Sequence, residues 1–205
     1  GGGYIGMVQI EMLQRMKNVE INASADTNQE QAEKVAQQFQ ILNVYNDPEA
    51  LIQNEDIEVI HNCTPNNYHF NLNKLAILKG KHILSEKPLS LNSFESKILA
   101  EMAINANIVT AVNFCYRYYP VVQESAYRVK SGAIGDIRSL MGHFLQDWLL
   151  YDTDYTWRLD PKYSGKANVI ADLGSHWCDL VHFTTGETIV EVMAELHTCV
   201  PKTKK

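Results

Sequence analysis

Residues 1–113 alternate short strand-like and helix-like stretches, a rhythm that leaves few folds open. Ile5, Val8, Met12, Leu13 and Met16 recur at helical spacing, and Val19–Ala25 reads as a strand ending at Asp26. Gln29–Phe39 is the next expected helix, with Asn28 as its cap, and Asp47-Pro48 opens a short one because proline suits a first helical turn. Ile57–Asn62 is a strand and Asn67–Lys79 a helix closed by Gly80. His82–Ser85 returns as strand, Ser93–Ala106 as helix and Ile108–Asn113 as strand. Repeated strand–helix–strand units need parallel crossovers, so the expectation is an α/β domain on a doubly wound parallel sheet.

After Asn113 the rhythm changes. Pro120–Lys130 is expected to be a helix, Ile137–Trp148 a long strand, Leu149–Gly165 a polar aromatic loop, Asp172–Phe183 a helix and Thr188–Val200 a strand. The division is placed at residues 1–115 and 116–205, the second being an α+β unit. A glycine turn that holds a dinucleotide follows a strand, yet the turn here starts at Gly1, and two strands make a poor sheet. The expectation is therefore a fragment of a longer protein.

Composition narrows the function. A net charge of −6 argues against a nucleic-acid binder, which carries a basic stripe, and no apolar run is long enough for a membrane span. Gly1–Gly6 has no charged leader or cleavage site. The four cysteines, Cys63, Cys115, Cys178 and Cys199, show no metal-ligand or paired spacing, which suits thiols in the cytoplasm.

Gly1-Gly2-Gly3-Tyr4-Ile5-Gly6 fits G-x-G-x-x-G and leads into a helix. Glycines permit a tight turn and close approach of a pyrophosphate, and the helix start supplies N–H groups. The same run could be a plain glycine terminus. Asp26 weighs against that, because a carboxylate after the second strand accepts from a ribose 2′-OH and repels a 2′-phosphate, favouring NAD over NADP. Its plain alternative is a helix cap beside Thr27.

Three further groups stand at strand ends or on a helix. Cys63-Thr64-Pro65-Asn66-Asn67-Tyr68-His69 and Ser85-Glu86-Lys87-Pro88 follow strands, where open α/β sheets bind ligands, although turn residues and surface Glu-Lys pairs are common there. Lys87 is a candidate donor to a substrate oxygen or proton carrier. Asp172 and His176 are four residues apart on one helix, so that a carboxylate can support an imidazole acid/base; a cap and a packed histidine are the plain alternative. Trp157-Arg158 is a substrate clamp or a surface pair. Zinc on Asp172, His176 and His182 lacks a further ligand cluster, so no metal is expected.

In their order and spacing these segments resemble the glucose–fructose oxidoreductase/inositol dehydrogenase (Gfo/Idh/MocA) family over nearly the whole chain. The resemblance rests on the glycine turn, Asp26, Thr64-Pro65-Asn66 with His69, Glu86-Lys87-Pro88, Asn113 with Tyr116-Arg117, Trp157-Arg158, and Asp172-x-Gly174-x-His176 with Asp179. It implies a Rossmann domain followed by a domain on a mostly antiparallel sheet that serves homo-oligomer contacts. It implies NAD held by Gly1, Gly3, Tyr4, Ile5, Gly6, Asp26, Thr64, Pro65, Asn66, His69, Glu86, Lys87 and Asn113, with the nicotinamide near Glu86-Lys87-Pro88. Lys87 would orient the substrate hydroxyl, and His176 would take its proton with Asp172 assisting. Tyr116, Arg117, Trp157 and Arg158 would line the substrate side.

The function implied is hydride transfer between NAD and a hydroxyl of a sugar, polyol or inositol-like compound. An NAD-dependent glycoside hydrolase and a non-catalytic dinucleotide-binding regulator are the alternatives; the joint presence of Lys87, Asp172 and His176 weighs against the regulator.

Overall fold

A computed structural model describes residues Gly1–Thr198. The chain divides into two compact units, Gly1–Asn113 and Phe114–Lys205.

In the first unit, α1 (Tyr4–Gln14) leads to β1 (Ala23–Ala25), α2 (Gln29–Phe39), β2 (Asn43–Tyr45) and α3 (Pro48–Gln53). Then come β3 (Val59–Asn62), α4 (Asn66–Leu78), β4 (His82–Ser85), α5 (Ser93–Asn105) and β5 (Thr110–Val112). Local chemistry sets these boundaries. Asn28 accepts a bond from the Gln31 N–H at the start of α2, and Asp47 does so from Glu49 at the start of α3, where Pro48 needs no donor partner. Asn92 caps α5 through the Glu95 N–H, and Gly80 follows α4 at φ +70°.

All ladders are parallel: β1 with β2, and β3 with β4 with β5. In the central register Ile83 of β4 lies between Ile60 of β3 and Thr110 of β5. The expected doubly wound parallel sheet is thus present as two ladders, of two and three strands. A cavity of about 460 Å³ adjoins both, lined by Ile10, Leu13, Val35, Ile52, Ile60 and Leu72 among others.

One core cluster holds the three-stranded ladder, with Ile52, Ile57, Ile60, Leu72, Ala76, Ile77, Ile83, Leu99 and Ala103 buried together. Helices α4 and α5 supply its cover, Leu72 and Ala76 from one and Leu99 and Ala103 from the other. The expected helix over Ile5–Met16 is present as α1, with Val8 and Met12 exposed and Ile10 and Leu13 lining the cavity.

In the second unit a 3₁₀ turn (Cys115–Tyr118) precedes α6 (Pro120–Lys130). A second 3₁₀ turn (Trp157–Leu159), the short α7 (Pro161–Ser164), a π-helical segment (Ile170–Gly174) and α8 (Ser175–Thr185) follow. The expected strand Ile137–Trp148 forms no ladder, and neither do residues 188–198 of the expected strand Thr188–Val200; Cys199 and Val200 lie outside the described residues. A strand is defined by its neighbour's hydrogen bonds, and among the described residues neither segment has one. The expected helix Asp172–Phe183 is also corrected: its first residues follow the wider π turn, and regular α geometry begins only at Ser175.

Ile83 is buried in the middle strand, which is paired on both sides. Ile83→Ala is expected to lower unfolding stability by about 3 kcal/mol through lost burial and an unfilled cavity, read as a lower urea midpoint.

Candidate functional site

The carboxyl ends of β1, β3, β4 and β5 lead directly into Asp26, Cys63-Thr64-Pro65, Glu86-Lys87-Pro88 and Asn113. The glycine turn is fastened to the first two of these ends. The Gly2 N–H donates to Asp26 Oδ2 at 2.8 Å, and the Asn28 N–H donates to Asp26 Oδ1 at 2.9 Å. Gln31 Nε2 donates to the Gly2 carbonyl at 2.6 Å. A Cβ at Gly1 would lie 2.5 Å from the Cys63 carbonyl oxygen, and one at Gly6 would overlap the Gly1 carbonyl oxygen. Only glycine fits these two positions.

Gly3 differs, because a Cβ there meets nothing within 4 Å. Gly3 precedes α1, which has no side-chain cap and no acidic residue in its first turn. The first N–H groups of a helix lack internal partners and carry the positive end of its dipole, a setting that suits a pyrophosphate. The donor set and the close-packed glycines therefore fit a dinucleotide.

Behind the second strand end lies a buried polar chain. Asn62 Oδ1 accepts from the Thr64 hydroxyl at 2.7 Å, and Asn62 Nδ2 donates to Asn73 Oδ1 at 2.8 Å. Asn73 Nδ2 donates to Ser85 Oγ at 2.9 Å, and that hydroxyl donates to the Glu86 carbonyl at 3.1 Å. His69 is fully buried, with Nδ1 2.6 Å from the Pro88 carbonyl oxygen and Nε2 2.8 Å from that of Thr64. Burial draws its pKa down against the two carbonyls and the Glu86 charge, which pull it up. A neutral ring donates to one carbonyl and an imidazolium to both. His69, expected as a cofactor contact, spends both nitrogens on the loops that end β3 and β4, and so reaches a ligand only through their backbone.

At the third strand end, Glu86 Oε1 accepts from Asn113 Nδ2 at 2.6 Å and from Gln9 Nε2 at 2.8 Å. Lys87 joins Pro88 through a cis peptide bond. The Cys63 thiol, half-buried beside the glycine turn, is pushed up to about 12 by burial.

In the second unit His176 is buried against the rings of Tyr116 (centroids 4.4 Å apart), Phe114 (5.7 Å) and Phe144 (6.0 Å). Burial raises the Tyr116 pKa. Arg158 Nε lies 3.4 Å from Asp172 Oδ1, its guanidinium 4.7 Å from the Trp157 ring centre. Arg117, expected on the substrate side, makes a forked ion pair with Asp179 of α8, which raises its pKa, and lies against Phe183. Asp172 stands in the π-helical segment and His176, four residues on, in the first turn of α8. Among the described residues no group of three or more His, Cys, Asp or Glu could hold a metal ion, and no helix is long and apolar enough to cross a membrane.

Residues 1–114 match the family model described as "Oxidoreductase family, NAD-binding Rossmann fold" (GFO_IDH_MocA), and residues 122–205 match the "GFO/IDH/MocA C-terminal domain". The chain belongs to the Gfo/Idh/MocA oxidoreductase family. It is 34% identical over 179 residues to the levoglucosan dehydrogenase of Pseudarthrobacter phenanthrenivorans, covering 87% of this chain and 45% of that protein. An oxidoreductase domain protein from Kribbella flavida superposes with a TM-score of 0.90 at 28% identity, covering 100% of this chain and 56% of that one. Levoglucosan dehydrogenase in complex with NADH and levoglucosan superposes with a TM-score of 0.82 at 31% identity, over 91% and 53%. The chain thus spans about half the length of these relatives.

For a member of this family, the residues that sequence reasoning passes over are the supports. Asn62 and Asn73 could have been flagged as amides on otherwise apolar faces, since a buried amide needs partners. Phe144 lies in a stretch expected as strand, and Gln9 on an ordinary helix face; neither carries a local signal.

A thiol reacts as its thiolate. With its pKa pushed to about 12, Cys63 is expected to resist iodoacetamide at pH 8 in the folded protein and to label after unfolding in urea, read by peptide mass. Fast labelling of Cys63 in the folded protein would contradict its burial.

Proposed function

We propose that the protein carrying this chain is an NAD(H)-dependent oxidoreductase that moves a hydride between nicotinamide and a hydroxyl-bearing carbon of a sugar, polyol or inositol-like compound. The observation that carries the reading is the glycine turn clasped to Asp26 by the 2.8 Å Gly2 bond, beneath an uncapped helix start. The relative solved with NADH and levoglucosan supports the cofactor and the substrate class.

NAD, when bound, supplies the hydride acceptor. The chain's own groups do the rest. Gly1, Gly3 and Gly6, with Tyr4 and Ile5 in the first turn of α1, present backbone N–H groups to the pyrophosphate. Asp26 keeps one lone pair per oxygen for ribose hydroxyls while holding the turn. Thr64, Pro65 and Asn66 shape the loop beyond β3, His69 braces it, and Glu86 with Asn113 would border the nicotinamide. Lys87 Nζ donates to the substrate's hydroxyl oxygen. A ring nitrogen of His176 accepts the hydroxyl proton, in a pocket that Tyr116 and Phe144 wall with aromatic surface. Asp172, paired with Arg158, supplies the negative charge that favours the imidazolium, and Trp157 offers a face for stacking on a sugar ring. Arg117 contributes by holding α8 through Asp179.

The remaining elements of the proposal concern assembly and place. Met141, Val190 and Met193 are 94%, 89% and 100% exposed, which supports a reading of residues 137–148 and 188–198 as strands of a mostly antiparallel sheet that also joins copies of the chain. A cytoplasmic setting is part of the same proposal and rests on four cysteines without paired or metal-ligand spacing.

NADH formation by the full-length protein over a panel of sugars and polyols tests the reading. Turnover with one substrate class is expected, and Lys87→Met is expected to lower kcat roughly 10²–10⁴-fold while NADH still binds. Tight NADH binding without turnover on any substrate would overturn the dehydrogenase. Release of free sugar without NADH accumulation would point to the glycoside hydrolase chemistry instead.

A further inference from the structure

Glu86 is held from the side of α1 by a residue with no assigned role. Gln9 Nε2 donates to Glu86 Oε1 at 2.8 Å, and Gln9 Oε1 lies 2.7 Å from His61 Nδ1 on β3. The direction of each bond follows from chemistry. An ionised carboxylate only accepts, so the Gln9 amide must turn its NH₂ toward Glu86. Its oxygen then faces His61, whose Nδ1 must carry the proton. Burial lowers the His61 pKa, so its neutral form, with the proton on Nδ1, is the one that fits. Asn113 Nδ2 donates to the same Glu86 oxygen at 2.6 Å, leaving Oε2 without a donor among the described residues.

The placement along the sheet gives this relay a purpose. The glycine turn meets β1 through Asp26 on one side and β3 through Cys63 on the other; a dinucleotide whose pyrophosphate sat on the turn would have its adenosine ribose on the Asp26 side. Its other half would then lie toward the ends of β4 and β5, where Glu86 and Asn113 stand.

We infer that Gln9, its amide oriented by His61, is a positioning residue that fixes the Glu86 carboxylate at the nicotinamide end of the dinucleotide site. The inference rests on the proposed function above. It makes α1 serve the cofactor twice, through its N-terminal N–H groups and, about one and a half turns on, through Gln9. A fixed Oε1 leaves Oε2 directed by the carboxylate plane, ready to accept from an amide N–H such as that of a nicotinamide carboxamide.

The test titrates the full-length protein with NADH and with ADP-ribose, which lacks the nicotinamide, comparing wild type, Gln9→Leu and Gln9→Glu at pH 6.0 and 8.5. Gln9→Leu is expected to weaken NADH roughly tenfold and to leave ADP-ribose within about twofold. Gln9→Glu sets a second carboxylate against Glu86. Its NADH affinity is expected to be lowest at pH 8.5 and to recover toward wild type at pH 6.0, where one proton is shared between the pair. Among the described residues, Cys63 and His69 feel the Glu86 charge, His61 stands behind Gln9 and Lys87 is adjacent; expressing each affinity relative to wild type at the same pH removes their contribution. Equal NADH affinity in all three proteins overturns the inference. A parallel fall in ADP-ribose binding, or a loss in Gln9→Glu that ignores pH, also overturns it, because a disturbed helix would do the same. Wild-type protein that binds neither ligand defeats the functional reading itself.

Discussion

The glycine turn packs backbone against backbone with no room for a side chain at Gly1 or Gly6, and the site is built around that approach. Gly1 lies against the Cys63 carbonyl, Gly6 against Gly1, and Gly2 hydrogen-bonds Asp26 at 2.8 Å. One short segment thereby ties the end of β1 to the end of β3, strands of two separate ladders. A side chain at Gly1 or Gly6 would push the turn off both. The orientation of α1 follows from these anchors, and with it the direction of the N–H groups that suit a pyrophosphate. Gln9 adds a third anchor toward Glu86, so the helix is referenced to three strand ends.

The polar chain from Thr64 through Asn62, Asn73 and Ser85 to Glu86 does for the strand ends what the glycines do for the turn. Amides taken out of water are costly unless each finds a partner, so this chain has few arrangements that satisfy it. That selectivity holds the loops after β3 and β4 at a set spacing, and His69 clasps the same two loops through the Thr64 and Pro88 carbonyls. In the second unit aromatic surface plays the comparable part around His176, and the Arg117–Asp179 pair fixes α8 beside it. Preorganised loops of this sort let a site spend little binding energy on ordering itself.

Much of the first unit was legible because its signals are local. Asn28, Asp47-Pro48 and Gly80 mark helix ends by their own chemistry, and the span His82–Ser85 stands out as a short apolar strand after a glycine stop. The glycine turn and Asp26 could be read as a pair for the same reason. What escaped depends on distant partners. The strand Asn43–Tyr45 is three residues long and exists through its pairing with β1. Gln9, Asn62 and Asn73 matter only through residues far along the chain. Ile137–Trp148 carries a strand-like pattern, but a pattern supplies no hydrogen-bonding neighbour, and the π turn at Ile170–Gly174 leaves no mark in residue spacing.

Under the proposed function, the turn and Asp26 together select NAD. The most direct measurement is the dissociation constants of NADH and NADPH for the full-length protein, before and after Asp26→Ala. A carboxylate beside the ribose repels a 2′-phosphate, so wild type is predicted to bind NADH at least about tenfold more tightly, with the gap closing in the variant. Equal affinities in wild type, or a preference for NADPH, would contradict the account.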